Sequence, residues 1–217
     1  MYNNSTSRWG HKKNYRKVNL FKNCDSVFIV LGLEYDPNRS ANIASIYDIL
    51  KKKYEYVIAP KGIKSGDILK YGSLAEIKNG HSLPIYKIPL GSVIHCISLA
   101  KNGRAVISRA AGSFCELIEK QKLTACIKFR SKKHRYVSTN CFASIGIVSN
   151  ELLFLTNKGK AGRSRWLNKR PKVRGVAMNP IDHPHGGGEG KTSGGRTSVT
   201  PWGKPGKSKK TSRSRRA

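Results

Sequence analysis

The chain has 217 residues, of which 42 are Lys or Arg and 12 are Asp or Glu, so that its formal net charge is +30, and only 38% of its residues are hydrophobic. No apolar run approaches the ~20 residues that a membrane-spanning helix needs, and the first residues, MYNNSTSRW, lack the apolar core of a secretory signal. Because self-repulsion of this size opposes compaction unless a polyanion neutralises it, the composition indicates a nucleic-acid partner.

The charge is unevenly distributed along the chain. Ten of the twelve acidic residues lie between Asp25 and Glu151, and only Asp182 and Glu189 follow them. The middle therefore has the charge balance of a folded domain, whereas both ends are strongly basic. The five cysteines are odd in number and most lie in apolar, strand-like runs, which indicates buried reduced thiols rather than disulfides or a zinc site.

Seven short apolar runs follow one another between Phe21 and Val148, and their length and β-branched content predict strands. Turn signals separate them, including Asn-Gly at 79–80 and again at 102–103. Residues 114–122 are compatible with a short helix or with a strand. Short strands at this spacing favour small β-barrels over a parallel sheet with helices. The seven runs are VFIVLGL (27–33), ANIASIYDIL (41–50), YEYVIAP (54–60), VIHCISL (93–99), AVIS (105–108), LTACIKF (123–129) and FASIGIV (142–148).

Two prolines in LPIYKIP (83–89) interrupt this pattern. They remove two amide donors and discourage a central strand, so we predict that two small β domains join here. The predicted boundaries place a short basic N-terminal arm at 1–20, a first barrel at 21–83, a second barrel at 84–148 and a basic, glycine-rich extension at 149–217.

Two arginines inside the predicted barrels lie at turns beside small residues, Arg39 in EYDPNRSAN and Arg109 in VISRAAGS. In that position a guanidinium group can bind phosphate with two parallel hydrogen bonds, or it can simply face solvent. The local sequence leaves both alternatives open.

The segment from Leu152 onward is dominated by Gly, Pro, Lys, Arg and Ser, and no apolar core can form there unaided. We expect it to be extended and poorly ordered alone, and to gain structure against a partner. Its basic runs, KGKAGRSRW (158–166) and KRPKVRG (169–175), are typical of a segment that threads through RNA, although a merely solvated tail is the alternative. The candidate RNA-binding residues in these runs are Lys160, Arg163, Arg165, Trp166, Arg170, Lys172 and Arg174.

The stretch HPHGGGEGKTSGG (183–195) raises the question of a catalytic or metal site. A Walker-type phosphate loop would require glycine where His185 stands, together with a preceding strand and a following helix. A metal pair of His183 and His185 has only the adjacent Asp182 as a nearby carboxylate, and a triad that uses Ser193 lacks a strained turn and an oxyanion hole. We therefore predict a thin backbone whose amides approach RNA phosphates closely. Its candidate contacts are His183, His185, Gly186, Gly187, Gly188 and Lys191.

Long blocks of the sequence closely resemble the family of universal protein two of the large ribosomal subunit. These blocks are EYDPNRSANIA (34–44), YVIAPKGIKSGD (56–67), LPIYKIPLGSVIH (83–95), SRAAG (108–112), RPKVRGVAMNPIDHPHGGGEG (170–190) and VTPWG (199–203). The resemblance implies a mostly β fold, in which an OB-type β-barrel is followed by an SH3-like β-barrel and a long, basic, extended C-terminal tail.

The resemblance also implies a function. It implies a structural, non-enzymatic protein that binds large-subunit rRNA and supports subunit association, tRNA binding and the peptidyl-transferase region, where RNA performs the chemistry. Arg39 and Arg109 match arginines that hold rRNA, and residues 183–190 match the segment that runs towards the reaction centre. Neighbouring ribosomal proteins are further partners, with tRNA and the small subunit as indirect ones. No cofactor, protein-bound metal, membrane contact or homo-oligomer is implied, and Mg²⁺ belongs to the rRNA environment only.

Relative to this family, the chain departs from the pattern at its start, where a longer basic arm is expected before Trp9, and at AKNGRAV (100–106), where a lysine- and glycine-rich loop is shortened. Together with the heavy use of Lys, Asn, Ile, Ser and Tyr, the short arm indicates an A/T-rich organellar genome. We expect a mitochondrial ribosome, in the matrix, with a plastid or the bacterial cytoplasm as alternatives.

Overall fold

The computed structural model of the protein describes residues 13–23, 25–190, 192 and 194–206. The chain divides into two compact units, one of residues 12–157 and one that begins at Lys158. No helix within the described ranges is long and apolar enough to cross a bilayer.

The first unit is built from short strands. Ten of the strands in its described residues form one sheet in the order β11-β10-β9-β6-β12-β5-β4-β1-β2-β3, while β7 pairs with β8. Neighbours in the large sheet are antiparallel except β4 and β5, which run parallel where Tyr71 pairs with Ser82. The strands are β1 (Ser26–Glu34), β2 (Ile43–Asp48), β3 (Lys53–Ile58), β4 (Ile68–Tyr71), β5 (Ser82–Pro84), β6 (Val93–His95), β7 (Ile97–Ser98), β8 (Ala105–Ile107), β9 (Cys115–Lys120), β10 (Thr124–Phe129), β11 (His134–Ser138) and β12 (Phe142–Ile145).

Apolar side chains from alternate strand positions form three clusters. The first cluster draws on residues between Phe28 and Tyr71, and the second on residues between Leu83 and Cys141 together with Ala143. The third contains Ala41 and Ile58 from the earlier strands as well as residues from the later ones. This mostly β architecture agrees with an OB-type barrel followed by an SH3-like barrel. The predicted domain boundaries stay predictions.

Every one of the seven predicted runs contains a strand, because each is a β-branched or aromatic run that can bury one face. Residues 114–122, for which the sequence was compatible with a helix or a strand, contain strand β9 rather than a helix. The run 93–99 splits into β6 and β7, since Cys96 between them has a positive φ of 49° that ends the extended conformation. Cys96, Cys115, Cys126 and Cys141 are buried and free, as predicted, and Cys24 lies outside the described residues.

The expectation that the prolines discourage a central strand at residues 83–89 was wrong for its first two residues. Strand β5 lies between β12 and β4 in the sheet. Pro84 is its last residue and pairs with Phe142, and the next amide, that of Ile85, donates to the carbonyl of Cys141 at 2.9 Å. A proline at the end of a strand therefore disturbs the ladder little, because the next backbone donor is paired. The chain then leaves the sheet through a 3₁₀ turn at Ile85–Lys87.

The second unit differs from the expected extended tail. Helix α1 spans Ala161–Trp166, and a 3₁₀ turn spans Gly175–Ala177. Among the described residues of this unit no apolar side chain is buried, and His183 is the one buried side chain. The prediction that no apolar core forms here is confirmed for those residues, whereas the extended conformation is wrong at α1.

Candidate nucleic-acid interface

The turn after β1 holds Arg39 in a fixed position. Asp36 is fully buried, and its carboxylate accepts hydrogen bonds from the Asn38 amide at 2.8 Å and from Nε of Arg39 at 2.5 Å. Burial alone would raise the pKa of Asp36, but these two bonds and the charges of Arg39 and Arg16 together lower it. The Arg39 side chain is 20% exposed. One edge of the guanidinium group thus binds the protein, which leaves Arg39 less open than the sequence suggested.

The turn after β8 presents Arg109 to solvent. It begins with Ser108, whose φ is 51°, and contains Gly112, whose φ is 61°. A Cβ atom at Gly112 would lie 2.8 Å from Cα of Glu151, so this tight approach requires glycine. The Gly112 amide donates to the carbonyl of Val148 at 3.2 Å. Arg109 itself is exposed.

The two turns contact each other. The Ala111 amide donates to Oγ of Ser40 at 3.1 Å, and Nδ2 of Asn150 donates to the carbonyl of the same serine at 2.8 Å. Beneath them, burial raises the pKa of the Cys96 thiol, and the charges of Arg109 and Arg39 both act in the opposite direction. The fold therefore brings two arginines that are distant in sequence onto one surface, which we call the paired-arginine surface. Guanidinium groups on adjoining turns can hold phosphate oxygens by charge-assisted hydrogen bonds.

In the second unit one of the candidate cations lies over an aromatic ring. Nζ of Lys160 lies 4.8 Å from the ring centroid of Trp166, a cation–π contact, and the tryptophan is still 62% exposed. Helix α1 carries Arg163 and Arg165 in its last turn. The candidates that follow α1 are exposed, namely Arg170, Lys172 and Arg174.

The histidine pair has a structural arrangement. The His185 amide donates to Nδ1 of His183 at 3.0 Å, and the Val199 amide donates to Nε2 of His185 at 3.1 Å. The two rings meet edge to face with centroids 4.9 Å apart. A neutral imidazole has a single lone pair in the plane of its ring. In both histidines this lone pair accepts a hydrogen bond from a backbone amide, so neither ring has a free lone pair with which to bind a metal. No group of three His, Cys, Asp or Glu suited to a metal ion occurs among the described residues.

The glycines near this pair are required by the protein's own fold. A Cβ atom at Gly186 would lie 2.2 Å from the carbonyl oxygen of Asn179, and one at Gly175 would lie 2.5 Å from the His183 ring. Gly187 and Gly188 have positive φ values of 80° and 85°. The sequence suggested close approach to RNA as the reason for Gly186, Gly187 and Gly188. The internal reason has no local signal, because it depends on which residues lie opposite. Their contact with RNA stays a prediction.

The phosphate-loop alternative lacks its framework. Residues 179–190 form turns, with no strand before them and no helix in the described residues after them. A Walker loop depends on both elements to aim its amides at phosphate. Lys191 and Ser193, which were named as candidate residues, lie outside the described residues.

Two small barrels with a paired-arginine surface, followed by a cationic segment without an apolar core, define an RNA-binding protein of the β-barrel class. A sequence profile described as "Ribosomal Proteins L2, RNA binding N-terminal domain" matches residues 3–70, and one described as "Ribosomal Proteins L2, C-terminal domain" matches residues 78–203. The "Large ribosomal subunit protein uL2" of Wolbachia sp. subsp. Brugia malayi (strain TRS) is 48% identical over 202 residues, which cover 93% of this chain and 74% of that protein. The chain belongs to the ribosomal protein L2 family.

Proposed function

We propose that the protein is a structural constituent of the large ribosomal subunit and that it binds large-subunit rRNA. Family membership and the net charge of +30 support this function. The observation that carries it is the hydrogen bond between Ser40 and Ala111, because it joins the Arg39 and Arg109 turns into one cationic surface. Neighbouring ribosomal proteins are its further partners.

The basic second unit contributes the remaining contacts in this proposal. Its exposed cations and Trp166 follow an rRNA strand, and the turn around His183 is placed towards the peptidyl-transferase region. Since His183 is buried and its Nδ1 is already bonded, we assign it a positioning role for the turn rather than catalysis. The protein then supports tRNA binding and subunit association through rRNA, and Mg²⁺ acts only as part of that rRNA.

For the location of this ribosome we propose the mitochondrial matrix. The abundance of Lys, Asn and Ile supports an A/T-rich organellar genome. The Wolbachia relative is bacterial, so the bacterial cytoplasm is the alternative. Sedimentation of the protein with large subunits from purified mitochondria supports the mitochondrial assignment, and its presence only with cytoplasmic ribosomes contradicts it.

Arg109→Ala is the clearest test of the paired-arginine surface. Arg109 is exposed, whereas replacing Arg39 would also leave the buried Asp36 carboxylate without its cation. We expect Arg109→Ala to weaken binding of large-subunit rRNA by about 1–3 kcal/mol, because charge-assisted hydrogen bonds are lost. Filter binding of the full-length protein to the rRNA measures this effect.

Arg104→Ala is the matched control, since Arg104 is an exposed arginine at the other end of β8, where it forms a β-bridge with Phe21. It should weaken binding much less. Equal losses in the two variants would mean that the protein binds RNA through net charge alone, and a wild-type protein that does not sediment with large subunits would refute the proposed function itself.

A further inference from the structure

The hairpin between β10 and β11 carries a cluster of positive charge that sequence analysis left unassigned. The hairpin is closed by the Phe129 amide, which donates to the carbonyl of Lys133 at 2.9 Å, and by the Lys132 amide, which donates to the carbonyl of Phe129 at 2.8 Å. We call residues 130–135 the basic hairpin tip, and all six are exposed. Its basic side chains are Arg130, Lys132, Lys133, His134 and Arg135.

The strand register directs one face of the hairpin outward. Ala125 and Val137 are paired and buried, so the neighbouring pairs in the ladder lie on the other face of the hairpin. On that face Tyr136, which is 59% exposed, pairs with the buried Cys126, and nearer the tip Lys128 pairs with the exposed His134. The basic hairpin tip therefore extends the strands with cations and a phenol ring that are open to solvent.

The charges at the tip are not balanced within the unit. The carboxylate of Glu116 lies 3.5 Å from Nζ of Lys128, below the tip. No carboxylate of the described residues forms an ion pair with the tip's own cations. Soluble surfaces normally intersperse both signs, and like charges across a hairpin destabilise it. A polyanion would remove this repulsion.

A groove connects the tip to the paired-arginine surface. It has a volume of about 320 Å³, and Gly112 of the Arg109 turn and Arg130 of the hairpin both line it. Phe114 and Phe154 also line it, and Phe154 is 71% exposed. The one acidic residue in the lining is Glu151, whose carboxylate is paired with Nζ of Lys61. The groove thus lies between the Arg109 turn and the hairpin within one unit.

We propose that the basic hairpin tip is a second phosphate-binding element, which holds the backbone of the same rRNA that the paired-arginine surface binds. This inference rests on the proposed function. The groove between the Arg109 turn and the hairpin and the uncompensated charge both point to an RNA backbone as the occupant. Contacts of this kind position RNA without reading its sequence, and each neutralised phosphate contributes to the salt dependence of binding.

The test is a double substitution with a matched control. Lys132→Gln together with Lys133→Gln removes two charges at the tip, and Lys52→Gln together with Lys53→Gln removes two charges at the β2–β3 turn. The turns are comparable, because Lys52 and Lys132 have positive φ values of 51° and 62° and all four lysines are exposed. Binding of the full-length variants to large-subunit rRNA is measured across a salt series.

We expect the tip variant to bind about tenfold more weakly at ~0.1 M salt and the slope of log K against log salt to decrease by about 1–2, whereas the control changes little. Hydroxyl-radical footprinting should show that the tip variant loses protection at one rRNA segment, adjacent to the segment that Arg109→Ala exposes. Equal changes in both double variants, or wild-type affinity in the tip variant, would overturn the inference alone. Absence of binding by the wild-type protein would overturn the proposed function and this inference together.

Discussion

Residues 13–157 and residues 158–206 become ordered by different means. The first region buries apolar side chains from twelve described strands in three clusters, and each fully buried aliphatic side chain contributes about 1.5–3 kcal/mol. In the described part of the second region, the one buried side chain is His183, which is held by a backbone amide and by glycines that leave room for it. The stability of the first region thus depends on the burial of apolar side chains. The order of the second region depends on tight turns that only glycine permits and on hydrogen bonds from backbone amides.

Each region also contains a buried histidine in a different setting. His95 is 1% exposed inside the β unit, with Nδ1 3.0 Å from the carbonyl oxygen of Gly146. His183 lies against Gly175 and accepts a bond from the His185 amide. Substitutions that are matched between the regions can separate these two sources of order.

The largest difference is expected for one substitution made in both regions. Val57 is fully buried in the first cluster, and Val173 is 61% exposed in the second region. Val57→Ala should lower the free energy of unfolding by about 2–3 kcal/mol, because two methyl groups leave the core and a cavity remains. Val173→Ala should change it by less than about 0.5 kcal/mol. Urea unfolding followed by circular dichroism measures both, and a comparable loss from Val173→Ala would show that the second region has an apolar core after all.

A smaller and more local loss of stability is expected when Gly186 is replaced. In Gly186→Ala the new methyl group would overlap the Asn179 carbonyl, so the turn around His183 should lose about 1–2 kcal/mol of local stability. Hydrogen exchange of the Gly187 amide, which donates to the carbonyl of Met178 at 3.1 Å, should become faster.

Gly162→Ala is the control for this prediction, because Gly162 lies in α1 with no atom near its Cβ position. It should leave the exchange of the Gly187 amide unchanged. If Gly186→Ala lowers the urea midpoint of the β unit as well, the contrast between the two regions fails.

How much of the fold the sequence could predict depends on whether an element is stabilised by its own residues or by distant partners. Strands such as β1 and β10 were predictable because a short β-branched run has few ways to bury itself other than in a sheet. Strand β5 was not, because its stability comes from the distant partners Phe142 and Cys141, which local sequence does not contain. Strand β11 has a mostly polar sequence, HRYVS, and offers only Val137 to the core.

The candidate interface was predictable to a similar extent. Arg39 and Arg109 could be named individually as candidates, since each is an arginine at a turn beside small residues, where a guanidinium group can bind phosphate. Their common surface depends on the contact between Ser40 and Ala111, and the restraint on Arg39 depends on the burial of Asp36. Both are tertiary contacts without a local signal. The cations at residues 130–135 had a signal in the sequence, a basic run between two strands, but only the register shows that they extend a surface.

The last predicted effect concerns pH and the buried His95. Burial, reinforced by the charge of Lys22, lowers the pKa of His95 from 6.5 to about 3, although the bond to the Gly146 carbonyl acts in the opposite direction. Between these two pH values the unfolded chain binds a proton at His95 and the folded chain does not. This contribution to stability is therefore complete above pH 6.5 and is lost as the pH falls towards 3.

From pH 7.5 to pH 5.5 His95 should lower the free energy of unfolding by about 1.4 kcal/mol, because the unfolded state gains one proton with a pKa near 6.5. His95→Gln keeps an amide that can donate to the Gly146 carbonyl and cannot titrate. The difference between wild type and His95→Gln in urea midpoint, measured at both pH values, isolates this residue from the other histidines, provided that circular dichroism shows a folded variant at pH 7.5. If both proteins lose stability equally on acidification, His95 takes up its proton in the folded state as readily as in the unfolded state, and the β unit does not exclude charge as its burial implies.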